Sequence, residues 1–161
     1  PLNLNKRKVS PDVAIKVFYS QLPDAVAKRL ANSAASVLNN SKICCAEVKI
    51  EKKEAACPGC SVFVFADYNS CVAGFSSLGA RGKPAEQVGA EAAKRFLEFN
   101  AGGACVDEHL ADQLLLYTAL AKGKSSFTVE KVSQHFKTNV WAIAKFLEKK
   151  IAVKENAVTV G

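Results

Sequence analysis

Val13-Ala14-Ile15-Lys16-Val17-Phe18-Tyr19 is rich in β-branched and aromatic residues and reads as a strand. Pro23 follows, suited to a first helical turn, where its missing N–H is no loss. Val26, Leu30, Ala34, Val37 and Leu38 then recur at helical spacing, and Asn39-Asn40-Ser41 ends the run. Working outward, Val48 and Ile50 alternate with Glu47, Lys49 and Glu51, which predicts a half-buried strand over 46–52. Residues 61–67 form a strongly apolar strand and 71–76 a shorter one. The first unit therefore reads β-α-β-β-β.

Past a loop rich in Gly and Ser, Pro84 opens a second helix with Val88, Ala92, Phe96 and Phe99 on one face, broken by Gly102-Gly103. A third helix spans 107–121. Its Leu114-Leu115-Leu116-Tyr117 run is apolar all round and predicts deep burial. A strand at 125–130 comes next. Thr138 or Asn139 is placed to cap a fourth helix, whose face is Val140, Ile143, Ala144 and Leu147. Segments 151–153 and 157–160 form a closing strand pair. The second unit reads α-α-β-α-β-β. The fold class is α+β, with the boundary in the 77–84 loop, so that 1–84 and 85–161 are the expected domains.

No apolar run approaches the roughly 18–20 residues of a membrane span, and no signal peptide is visible, so the expectation is a cytoplasmic protein with no membrane partner. Net charge is +7 and uneven: 12 Lys and Arg face 6 Asp and Glu over 1–84, but 10 face 9 over 85–161. A basic segment beside a near-neutral one suits an anionic partner such as RNA; plain solubility explains it as well. Methionine is absent, even at position 1, which suggests a piece of a longer chain.

Six cysteines are irregularly spaced. Cys57-Pro58-Gly59-Cys60 is a CxxC that could join a zinc site or a redox pair. Pro-Gly is a turn former between two strand-like runs, and no second CxxC completes a ligand set. No metal ligands are therefore assigned, and a thiol redox protein is disfavoured. A free-standing RNA-binding module is disfavoured too, because no recognisable aromatic RNA motif is present.

Nothing resembles a Walker A loop or a dinucleotide glycine fingerprint. The only histidines are His109 and His135. Their surroundings are specific as an ordered set. Val106-Asp107-Glu108-His109-Leu110-Ala111-Asp112-Gln113-Leu114, then Ala119-Leu120-Ala121-Lys122-Gly123, then His135 before Thr138-Asn139, resembles the signature of the RNA 3′-terminal phosphate cyclases. Leu78-Gly79-Ala80-Arg81-Gly82-Lys83-Pro84, Val88-Gly89-Ala90-Glu91-Ala92-Ala93, Pro1-Leu2-Asn3-Leu4 and Val26-Ala27-Lys28-Arg29 are similar to that family as well.

The resemblance implies that residues 1 to about 84 are a thioredoxin-like inserted domain. The remainder would be the last repeat of a larger domain of the cyclase and EPSP-synthase type. It implies a three-step reaction. A histidine takes AMP from ATP, passes it to an RNA 3′-phosphate, and the ribose 2′-OH then closes a 2′,3′-cyclic phosphate. By that resemblance His135 is the nucleophile; Asp112 and Gln113 contact the nucleotide; His109 stands where the family tends to stack an aromatic ring on adenine. Arg81 and Lys83 are candidates for an RNA or phosphate contact. ATP and a divalent metal (Mg or Mn) are the implied cofactors, the metal ligand coming from an N-terminal half of the same enzyme outside this chain. Expected partners are that half and RNA with a 3′-phosphate end. The alternative is the cyclase-like factor of ribosome assembly and ribosomal RNA processing, which shares the fold without the chemistry; the presence of His135 favours the enzyme.

Overall fold

The computed structural model describes residues 1–161. In chain order the elements are β1 (Asn3–Leu4), β2 (Asp12–Ser20), α1 (Asp24–Asn40), β3 (Cys45–Lys52), β4 (Gly59–Asp67), β5 (Val72–Leu78), α2 (Ala85–Gly102), α3 (Glu108–Leu120), β6 (Ser125–Thr128), α4 (Gln134–Phe146), β7 (Ile151–Lys154) and β8 (Ala157–Val160). They divide into a central unit, Ser10–Tyr68 with Val72–Ala101, and a terminal unit, Pro1–Val9, Asn69–Cys71 and Gly102–Gly161. Each holds one mixed four-stranded sheet, so the α+β class stands. No helix is long and apolar enough to cross a membrane.

In the central unit the sheet order is β3-β2-β4-β5. β2 runs parallel to β3 and antiparallel to β4, and β4 is antiparallel to β5. Strand alternation puts Ile15, Val17, Val62, Val64 and Phe75 on a buried face. The helical stripes of α1 (Leu30, Ala34, Leu38) and α2 (Val88, Ala92, Phe96, Phe99) are buried with it. Phe75 meets Phe99 with ring centroids 5.3 Å apart and Phe96 at 6.5 Å. Gly89 lets the two helices touch at the backbone, since a Cβ there would lie 2.3 Å from the Leu30 carbonyl oxygen.

Two expectations change here. Val48 and Ile50 are 47% and 41% exposed, because β3 is the outermost strand and is flanked on one side only. The loop at 77–84 lies inside the central unit rather than at its edge. α2 packs its aromatic stripe with this sheet, so the unit runs on to Ala101. At the head of α2, Glu91 receives Lys83 Nζ, Ser77 Oγ (2.8 Å) and Gln87 Nε2 (3.1 Å). The hydrogen bond from Lys83 holds its carboxyl below the ordinary glutamate range, with Ser77 assisting.

In the terminal unit the sheet order is β1-β6-β8-β7. β1, which carries no strand signal of its own, pairs parallel with β6 through Asn3↔Ser126 and Leu4↔Phe127. Its core gathers Val106, Leu115, Phe127, Phe136, Val158 and Val160. The deep burial expected of 114–117 holds for Leu115 alone; Leu116 is 47% and Tyr117 70% exposed. Only one stripe of α3 faces the core, whatever the composition of the others.

Candidate active site

Asp107 ends its extended approach to α3 by accepting the His109 and Leu110 backbone N–H groups, each at 2.9 Å. That cap fixes the first turn of α3. His109, Asp112 and Gln113 then follow at i, i+3 and i+4, along one side of the helix. His109 and Gln113 are exposed, whereas the Asp112 side chain is only 17% exposed.

The fourth helix starts earlier than expected. Ser133, not Thr138 or Asn139, is its N-cap and accepts the Phe136 N–H at 3.0 Å. Thr138 lies within the helix and donates its hydroxyl to the Gln134 carbonyl at 3.1 Å. His135 consequently sits in the first turn of α4, with a side chain 73% exposed. Buried Phe136, its neighbour, anchors that turn in the core.

The two helices bring together residues 23 positions apart. His135 Nδ1 lies 2.9 Å from Asp112 Oδ2. An ionised carboxylate only accepts, so Nδ1 carries the hydrogen and donates it. In the neutral ring the lone pair is then on Nε2. Asn139 stands 3.4 Å from Nδ1. The sequence alone could not supply this orienting partner, because Asp112 and His135 meet only through the packing of α3 on α4. The other carboxylate oxygen, Asp112 Oδ1, is buried and has no hydrogen-bond partner.

Two recesses of about 390 Å³ each open around Asp112. One is lined by Glu108, His109, Asp112, Ser133 and His135. The other is lined by Gln113, Leu116, Tyr117, Asn139, Ala142, Ile143 and Asp112 again. Gln113 and His109 therefore flank Asp112 in different recesses. Arg81 and Lys83 belong to the central unit. Lys83 is committed to Glu91, while Arg81 is exposed and makes no hydrogen bond or ion pair. All six cysteines are free, and no three His, Cys, Asp or Glu side chains converge to hold a metal.

On a mixed α+β chain, a solvent-facing histidine oriented by a carboxylate thus stands beside an open recess. Residues 11–101 match the family described as RNA 3′-terminal phosphate cyclase (RTC), insert domain. A protein named RNA 3′-terminal phosphate cyclase from Methylococcus capsulatus is 39% identical over 131 residues, covering 81% of this chain and 36% of the relative. One of the same name from Nostoc punctiforme is 35% identical over 156 residues, covering 96% and 44%. Another from Methanosarcina mazei is 40% identical over 136 residues, covering 84% and 37%. The chain belongs to the RNA 3′-terminal phosphate cyclase family. It spans less than half the length of these curated relatives.

Proposed function

We propose that the chain takes part in ATP-dependent conversion of an RNA 3′-phosphate end to a 2′,3′-cyclic phosphate, with His135 as the temporary carrier of AMP. His135 Nε2 attacks the α-phosphorus of ATP; the bond to the bridging oxygen breaks and pyrophosphate leaves. The ring gains positive charge as the P–N bond forms, and Asp112 Oδ2, on the Nδ1 hydrogen, stabilises it while holding the ring's orientation. An oxygen of the RNA 3′-phosphate then attacks the AMP phosphorus, the P–N bond breaks, and His135 is regenerated. Finally the adjacent 2′-OH attacks the RNA phosphorus, loses its proton and expels AMP.

In this reading Asp112 and Gln113 contact the nucleotide, the carboxylate accepting a ribose hydroxyl and the amide donating to an oxygen. His109 lies against the base. The residues of this chain do not form a metal site, so no step here is routed through an ion. A divalent metal that aids the transfer is assigned to residues outside the chain, as is the N-terminal half that completes the enzyme.

The observation that supports the reading most is the 2.9 Å contact from His135 Nδ1 to Asp112, which turns Nε2 outward. The test is α-labelled ATP and Mg or Mn added to the chain combined with its N-terminal half. Label should remain on protein, and His135→Ala should remove it. Labelling that survives in His135→Ala would overturn the assignment. The chain by itself should not label.

A further inference from the structure

A cavity of about 460 Å³ in the central unit lies away from His135 in the sequence and plays no part in the chemistry above. It is walled by Leu22 and Val26 at the start of α1, Pro58 and Cys60 at the start of β4, and Pro84 and Val88 at the start of α2. Its charged lining residues are Arg29, Arg81 and Lys83, and no Asp or Glu lines it.

Each cation has a different availability. Lys83 is held by Glu91. Arg29 makes a 3.4 Å pair with Glu86 in which both side chains are more than half exposed. Such a pair is worth little and exchanges readily for a stronger anion. Arg81 makes no hydrogen bond or ion pair, and its guanidinium fork matches two phosphate oxygens.

The backbone adds to this. α1 starts after Pro23 with no side-chain cap, and Pro84 brings no side-chain acceptor to α2. The first turns of both helices, through Val26 and Ala85, thus line the same cavity and bring the positive ends of their dipoles to it. Burial pushes the Cys60 thiol up, so its sulfur brings no negative charge. The rest of the wall is apolar and includes two proline rings, a surface suited to the face of a base.

We infer that this cavity seats one nucleotide of a single-stranded RNA, its phosphodiester on Arg29 and Arg81 and its base against Leu22, Val26 and the two prolines. The identity of the strand rests on the cyclase reading, but the binding does not require the chemistry. The cavity would grip the strand at a position other than its reacting end, and strand affinity would exceed what the terminal phosphate alone provides.

The test is fluorescence anisotropy of the full 161-residue chain with a labelled 12-nucleotide oligouridylate ending in a 3′-hydroxyl. Arg29→Ala with Arg81→Ala should weaken binding about tenfold or more, and reduce the salt dependence by the equivalent of roughly one phosphate contact. Lys149→Ala with Lys150→Ala removes the same charge elsewhere and should change affinity less than about twofold. Unchanged circular dichroism confirms folding. Equal losses in the two double variants, or no loss in the first, would overturn the inference. Displacement by inorganic phosphate as effective as by unlabelled strand would also overturn it, in favour of a simple phosphate site. His135→Ala should abolish protein labelling and leave this binding intact, so the two readings fail separately.

Discussion

In the central unit α2 hides seven residues, among them Phe96 and Phe99; in the terminal unit α4 hides only Phe136 and Ile143. α4 leaves Trp141 64% and Phe146 87% exposed, and α3 adds Tyr117 at 70% and Leu120 at 61%. The central unit uses its large side chains to close its own core. The helices carrying His135 and Asp112 are anchored by a few residues and present the rest outward. The well-packed core and the candidate site thus lie in different parts of the chain.

The sharpest way to break that contrast is a pair of truncations. Phe96→Ala should lower stability by about 3–5 kcal/mol, as expected for a fully buried aromatic, whereas Trp141→Ala should stay within about 0.5 kcal/mol. Urea denaturation of both variants checks it, and equal losses would erase the distinction. On the chemical side, Asp112→Asn should leave the fold intact and slow protein labelling by on the order of 10²-fold or more, because the ring loses its charged orienting acceptor. Unaltered labelling would separate Asp112 from His135 function.

Smaller effects sharpen the contrast. Ser133→Ala removes the α4 cap and should cost about 1 kcal/mol, read as a shift in the denaturation midpoint, with labelling weakened because the turn bearing His135 frays. The smallest is electrostatic. The Glu91 carboxyl is held low, so its contribution is complete above the ordinary glutamate range and is lost as pH falls through its folded value. The stability gap between the parent chain and Glu91→Gln should therefore be open at neutral pH and closed in acid. A gap that widens on acidification would contradict the Lys83–Glu91 brace.

Element order was legible because apolar periodicity and Pro or Gly punctuation survive in almost every segment. What escaped has local reasons. β1 is two residues long and exists only as a partner of β6. The α4 start was missed because Gln134, His135 and Lys137 offer no apolar period, although Ser133 ahead of Phe136 was a usable capping signal. Burial at Val48, Ile50, Leu116 and Tyr117 depends on which side of an element a neighbour covers, and composition does not carry that. The candidate residues could be named from ordered motifs, but the His135–Asp112 contact arises only when two helices meet.

One carboxylate oxygen has a consequence for stability. Asp112 Oδ1 is buried without a donor. An unsatisfied buried acceptor of this kind carries a penalty of about 1–3 kcal/mol. The carboxylate that orients the His135 ring is therefore held at a cost to folding, a tension the fold builds in where two helices meet.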